Sequence, residues 1–231
     1  MITDGFIKFM KDNKKSERCI RDYTRCSQEF NEFLLTTKRN KSIDNANPKD
    51  VNDFISIIER KSKIHRHVGS LQTYYEYIDR EEMVNTCAAI MTEQWLENYK
   101  LKDFMGITRD QIEALSKVGI RNAKQLLYAG LSRNDREKLT QKTGLPKDKL
   151  LESIKLSDLA RIGGMKKIRG RLYYDAGFDT ITRISEHTTD EIRKRLKEYI
   201  DMSGFNGIPP TPKEAARTVS MAKHLKKIVE Y

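Results

Sequence analysis

Apolar side chains recur three and four residues apart along almost the whole chain, and no stretch of four or more residues alternates apolar and polar between turn residues. That spacing builds amphipathic helices and offers no sheet a one-sided apolar face, so the sequence predicts an all-α protein. Ile20, Tyr23, Ser27, Phe30 and Leu34 form the first clear stripe, and Ser16 just ahead of it suits an N-cap. Pro48 opens a second helix with Val51, Phe54, Ile55 and Ile58 on one face. Ile64, Val68, Leu71, Tyr75 and Ile78 mark a third, and residues 81–99 a further one that carries Trp95. These four or five helices are expected to form one bundle over residues 1–100.

Beyond that point ten of the 12 glycines break the pattern into shorter helices: Gly106, Gly119, Gly130, Gly144, Gly163, Gly164, Gly170, Gly177, Gly204 and Gly207. Glycine after a helical run supplies the positive φ that a helix end or tight turn needs. The change of texture places a domain boundary near residue 100 and a second domain over 101–231. This domain repeats itself. Leu115-Ser-Lys-Val-Gly119-Ile-Arg-Asn-Ala-Lys-Gln-Leu126 and Tyr173-Tyr-Asp-Ala-Gly177-Phe-Asp-Thr-Ile-Thr-Arg-Ile184 share a helix end, a glycine and the apolar residues after it, at an offset of 58. A last helix is expected from Thr211-Pro212-Lys213-Glu214 to the end, with Ala215, Val219, Ala222, Leu225 and Val229 along one face.

The net charge of +11 is unevenly spread. Residues 1–100 hold 17 Lys and Arg against 16 Asp and Glu, and residues 101–231 hold 27 against 17, which is +1 against +10. Such a balance favours a polyanionic partner, because each phosphate neutralised releases a condensed counterion. Cys19, Cys26 and Cys87 contain no C-x-x-C pair, so neither a disulfide framework nor a thiolate zinc site is expected, nor any other cofactor. No apolar run is long enough to span a bilayer and the N-terminus has no leader pattern, which points to a cytoplasmic protein with no membrane partner.

The most informative loop is Ile162-Gly163-Gly164-Met165-Lys166-Lys167-Ile168-Arg169-Gly170-Arg171. A tight turn leading into a helix presents free N–H groups and the positive dipole end, which suits a phosphate, and Lys166, Lys167, Arg169 and Arg171 add cations there. Gly106 and Arg109 occupy the corresponding loop of the first repeat. His65 and His67 are two apart, and His187 and His224 have no metal-ligand companions, so no metal site is expected. Tyr74, Tyr75 and Tyr77 could stack bases, although Tyr75 lies in an apolar stripe.

Ile162, Gly164, Met165 and Ala176-Gly177-Phe178-Asp179-Thr180-Ile181 resemble the helix-hairpin-helix motif, with Lys166 in place of its second glycine. From about Gly106 onward, Glu137-Lys-Leu-Thr-Gln-Lys-Thr-Gly144, Leu156-Ser-Asp-Leu159 and Pro210-Thr-Pro-Lys-Glu214 also resemble an uncharacterised family of tandem helix-hairpin-helix domains. The position where glycosylases of that motif carry a lyase lysine is Ile168, which speaks against base excision. The N-terminal part, through Ser16-Glu-Arg-Cys-Ile-Arg-Asp-Tyr23, Phe30-Asn-Glu-Phe-Leu34 and Ile64-His-Arg-His-Val-Gly-Ser-Leu71, resembles the core-binding domain of tyrosine recombinases and phage integrases. That resemblance implies DNA contacts at Lys14, Lys15, Arg18, Arg21, Arg25, Lys61, Lys63, His65 and Arg66. The catalytic arginine, lysine, His-x-x-Arg pair and tyrosine of a recombinase are missing, so no enzymatic activity is expected.

The expectation is therefore a non-catalytic protein that binds nucleic acid, double-stranded DNA first, through its phosphate backbone. It would be nucleoid-associated if DNA is the partner. A protein-interaction scaffold built on the hairpin repeats, and an integrase relative that occupies sites without cutting, are the alternatives, and the oligomeric state is left open.

Overall fold

In the computed structural model thirteen α-helices and no strand form among the described residues, which are 4–37, 40–59 and 61–231. Residues 1–3, at the N-terminus where no leader pattern was expected, residues 38–39 of the polar stretch after α2, and residue 60 lie outside the description, as do the side chains of Lys61 and Ser62. The all-α expectation holds. No described helix is long and apolar enough to cross a membrane. Two compact units divide the chain at residues 94 and 95.

The first unit holds α1 (Asp4–Asp12), α2 (Glu17–Thr37), α3 (Pro48–Ser56), α4 (Lys61–Tyr77) and most of α5 (Glu81–Asn98). The α2 helix begins where the Ser16 hydroxyl accepts the Cys19 N–H at 3.3 Å. Asn47 and Asp50 cap α3 reciprocally, with Pro48 in its first turn. The helix stops at Ser56, whose hydroxyl donates to the Asp53 carbonyl at 2.6 Å, so Ile58 packs from the following loop and not from the helix face expected for it. Phe6, Phe30, Leu34, Val51, Leu71 and Tyr75 fill the core. The tyrosine cluster is part of that core. Tyr74 and Tyr75 are buried, their hydroxyls donating to Asp44 and to the Ile43 carbonyl, and Tyr77 lies against Phe6 and Phe9, so these rings offer no platform to a base.

His67 is buried between α2 and α4. Its Nε2 lies 2.7 Å from Glu29, and its Nδ1 is 2.9 Å from the Lys63 carbonyl. The Cys26 side chain and the Glu29 carboxylate hold its pKa up at about 9 against the opposing effect of burial. The folded-state value lies above the unfolded one, so the stabilisation is complete below about pH 6.5 and is lost as pH rises through about 9. Urea midpoints should fall across that window by an equivalent of about 1–2 kcal/mol, the half-exposed Glu29 being screened by solvent. His67→Gln should flatten the dependence; an unchanged pH profile would contradict the pairing.

The second unit contains α6 (Arg109–Lys117), α7 (Ala123–Ala129), α8 (Arg133–Thr143), α9 (Lys147–Leu159), α10 (Lys167–Asp175), α11 (Ile181–Ser185), α12 (Thr189–Ser203) and α13 (Pro212–His224). One core gathers Leu96, Leu101, Leu115, Leu126 and Ile154, and the other Ile162, Leu172, Tyr173, Phe178, Ile192 and Leu196. Trp95, expected in the N-terminal bundle, packs here: its indole N–H donates to the Ala160 carbonyl at 3.0 Å and its ring stacks on Tyr99. The last helix ends at His224, short of the expected terminus, because Leu225 turns to extended backbone (φ −74, ψ 128). Residues 225–231 run back over the first core. Glu230 N–H donates to the Leu131 carbonyl at 2.8 Å, and Val229 packs there instead of along the helix face.

The internal repeat is geometric as well as textual. Gly119 (φ 84) and Gly177 (φ 90) both take the left-handed turn, and in each copy the following N–H reaches back five residues: Ile120 to the Leu115 carbonyl at 3.0 Å, Phe178 to Tyr173 at 2.8 Å. Three residues after each glycine a side chain caps the next helix, Asn122 for α7 and Thr180 for α11. The same offset of 58 places Gly106 (φ 98) over Gly164 (φ 93), and the N-cap Thr108 of α6 over the N-cap Lys166 of α10.

Candidate nucleic-acid interface

The two copies differ where a helix meets its turn. In the first, Thr108 and Gln111 form a capping box and Asp110 adds an acid, so the first turn of α6 is satisfied internally. In the second, Lys166, Ile168 and Arg169 stand at those three positions, and α10 begins with no side-chain cap. The exposed Lys166 and Lys167 make no ion pair among the described residues. Gly163 is exposed beside them, and the turn at Gly164 has open space where a side chain would stand.

The four cations expected to act together separate into two pairs. Arg169 reaches Glu214 at 3.5 Å and donates to the Ile208 carbonyl at 3.2 Å, which pins the loop ahead of α13. Arg171 faces inward, between Glu152 of α9 and Asp175, and its guanidinium lies over the Tyr174 ring at 5.2 Å. Burial works against that charge, but the hydrogen bonds to Asp175 and Glu152 outweigh it and raise its pKa. Arg171 is therefore held by two carboxylates of its own chain, unlike Lys166 and Lys167, with which it was expected to act.

Gly106 sits against the same guanidinium. The φ of 98 favours glycine there, and a Cβ, 2.5 Å from Arg171 Nη1, would push the end of that side chain aside. Arg109 is almost fully exposed and pairs with Glu113 at 3.0 Å. The first loop is thus capped and locally balanced, while the second is neither.

Arg217, which the sequence reading passed over, stands on α13 with its Nη2 3.7 Å from a Cβ built on Gly163. It is exposed and makes no ion pair among the described residues. Its signal was available: Lys213 and Arg217 are four apart, on the helix face opposite the buried Ala215, Val219 and Ala222.

In the first unit the starts of α2 and α4 enclose a groove of about 390 Å³ lined by Ser16, Arg18, Cys19, Asp22, Tyr23, His65 and Arg66. The structure thus brings Arg18, His65 and Arg66 together, with Lys15 over the Tyr23 ring at 5.8 Å. Burial, followed by the neighbouring Cys19, pushes the Tyr23 phenol up. Asp22 tempers the site by pairing with Arg66 at 3.8 Å and Arg25 at 3.5 Å, and Arg21 pairs with Glu17 at 3.8 Å. Lys14, Lys15, Arg18 and Lys63 are exposed and make no ion pair among the described residues. The Lys61 side chain, also expected at this face, lies outside the described residues. No group of three or more His, Cys, Asp or Glu among the described residues is arranged to hold a metal ion.

Gly164→Ala should cost about 1–2 kcal/mol, since an L side chain is strained at φ 93 whatever room surrounds it. Gly170→Ala, inside α10 with its nearest neighbour an ordinary 3.8 Å away, should instead gain about 0.5–1 kcal/mol. Thermal midpoints moving in the same direction for the two variants would contradict this backbone assignment.

Neither a curated protein nor a solved structure matches the chain. Residues 105–225 match the family described as Domain of unknown function (DUF4332). The matched segment runs from the Gly106 turn through α13, so it takes in both copies of the repeat and the unpaired Lys166–Lys167 turn. With more than half of its residues inside that match, the chain belongs to the DUF4332 family.

Proposed function

We propose that this protein binds nucleic acid, double-stranded DNA first, without catalysing a reaction on it, by gripping the phosphate backbone at the turn of residues 163–167. The observation that carries this reading is the divergence of the two repeats. Where α6 has a capping box and an acid, α10 has an open first turn, two unpaired lysines and an exposed arginine from α13 beside it. Charge left without an internal partner is available to a polyanion, whereas Arg171 is not.

On this reading the repeats act as a helix-hairpin-helix pair, of which the second is the binding copy and the first supports it. Gly163 and Gly164 let a strand approach the backbone, and Lys166, Lys167 and Arg217 supply ionic contacts that carry no base information. The first unit, read as a core-binding-like bundle, contributes Lys14, Lys15, Arg18, Lys63 and His65 from its own basic face.

Polarisation of a labelled random-sequence duplex, paired with light scattering of the protein alone, tests the proposal. Saturable binding that is indifferent to sequence is expected. Self-assembly with no duplex binding would favour a protein-interaction scaffold and overturn it.

A further inference from the structure

The α10 turn carries an apolar feature that phosphate binding does not use. Ile168, in the first turn of α10 between the two lysines and Arg169, is 51% exposed, and Ile208, across from it in the loop before α13, is 76% exposed. Together with Lys166, Lys167, Arg169 and the buried Leu172 they line a groove of about 300 Å³. No carboxylate lines it, in contrast to the first-unit groove, which contains Asp22. The ledge is held in shape. Arg169 donates to the Ile208 carbonyl at 3.2 Å and Arg193 to the Pro210 carbonyl at 3.2 Å. Just ahead of them Gly207 is packed so closely that a Cβ would stand 2.9 Å from Phe205 and 3.3 Å from Ile168.

In the first repeat the position of Ile168 is Asp110, an exposed acid in a capped turn. The second copy has a large β-branched apolar side chain, held open to solvent beside the two lysines and the Glu214-paired Arg169. A ligand matched to this surface needs an anionic rim and an apolar face at the same point. Nucleic acid offers both at least cost where a base face is already uncovered, because in continuous duplex the faces are hidden in the stack and an apolar wedge must first unstack a step, at a few kcal/mol.

We propose that the Ile168–Ile208 ledge is a wedge site for an interrupted duplex: a gap or bulge whose uncovered base face rests on the two isoleucines while Lys166 and Lys167 hold the flanking phosphates. The inference rests on the nucleic-acid reading above and adds to it the kind of nucleic acid preferred. Covering the exposed part of Ile168 should give about a tenfold preference for gapped over intact duplex of the same length and sequence.

The test is polarisation with matched intact, gapped and single-base-bulged duplexes, using the unsubstituted protein, Ile168→Ser and Ile208→Ser. The unsubstituted protein should favour the interrupted duplexes, and each variant should lose most of that preference while keeping its affinity for intact duplex. Two variants are used because Ile208 lies in a loop and can be changed without touching α10. Equal affinity for intact and interrupted duplex, or a preference that survives both substitutions, overturns the wedge and leaves the phosphate reading standing. No binding to any duplex overturns the reading beneath it. An acidic, apolar peptide that displaces no DNA but loses its own binding on Ile168→Ser would assign the ledge to a protein partner and overturn the proposal.

Discussion

Replacing Arg161 by Met is expected to remove about 3–5 kcal/mol of unfolding free energy from the second unit, the largest effect of any single substitution considered for this protein. Arg161 and Asp158 are 7% and 3% exposed and pair at 2.8 Å at the end of α9. The pair closes a network. Arg161 also donates to the Lys226 carbonyl at 2.8 Å, and the Tyr231 hydroxyl donates to the other Asp158 oxygen at 2.9 Å, so the segment after α13 is fastened to the residues just ahead of Gly163. Burial, then the Asp158 charge, pushes the Tyr231 phenol above its ordinary value, which favours the protonated form that donates to Asp158. Without the guanidinium, the Asp158 carboxylate is left buried with a single hydroxyl. Adding Asp158→Asn to Arg161→Met should recover part of the loss, because the uncompensated charge is then gone. Tyr231→Phe should cost less, about 1.5–3 kcal/mol, one hydrogen bond to a buried charged group. Urea denaturation of the variants decides the matter, and a loss under about 1 kcal/mol for Arg161→Met would show that the pair is not the fastening it is taken to be.

The second large effect concerns binding. Lys166→Glu combined with Lys167→Glu should weaken duplex affinity by at least about tenfold, by a similar factor for unrelated sequences, with little change in thermal midpoint. The reasoning is local: both side chains are exposed and neither makes an ion pair within the described protein, so their loss removes ligand contacts without removing internal ones. Arg171→Glu should behave in the opposite manner, destabilising the fold by placing a third carboxylate beside Glu152 and Asp175. Equal duplex affinity before and after the double lysine reversal would move the interface away from the α10 turn.

How far the sequence could be read depended on the kind of signal. Periodic apolar spacing located α2, α3, α4 and α13 because packing one face of a helix leaves its mark every three to four residues. The glycine turns were legible for a similar reason, since Gly164 and Gly177 hold φ values of 93 and 90 that other residues resist. The partners of charged residues were not. In the sequence Arg161, Arg169 and Arg171 look like Lys166 and Lys167, and only the fold separates the buried Arg161 and the doubly paired Arg171 from the two lysines that face solvent. Trp95 was read with the wrong core because helical spacing does not tell where one bundle ends when a single helix, α5, continues past the division. The last residues were read as helix because Leu225 and Val229 keep its spacing, but Arg161 draws the Lys226 carbonyl away from the helix axis.

The central claim is that unpaired cations on this chain meet phosphates, and the salt dependence of duplex affinity addresses it most directly. Measured between about 50 and 200 mM monovalent salt, log K should fall linearly with log salt with a slope near −0.9 for each phosphate engaged. With about six to ten engaged, the loss across that range is on the order of a thousand-fold or more, and the double lysine reversal should make the slope shallower by about two phosphates' worth. A slope near zero, or one that the lysine reversal leaves unchanged, would contradict the account.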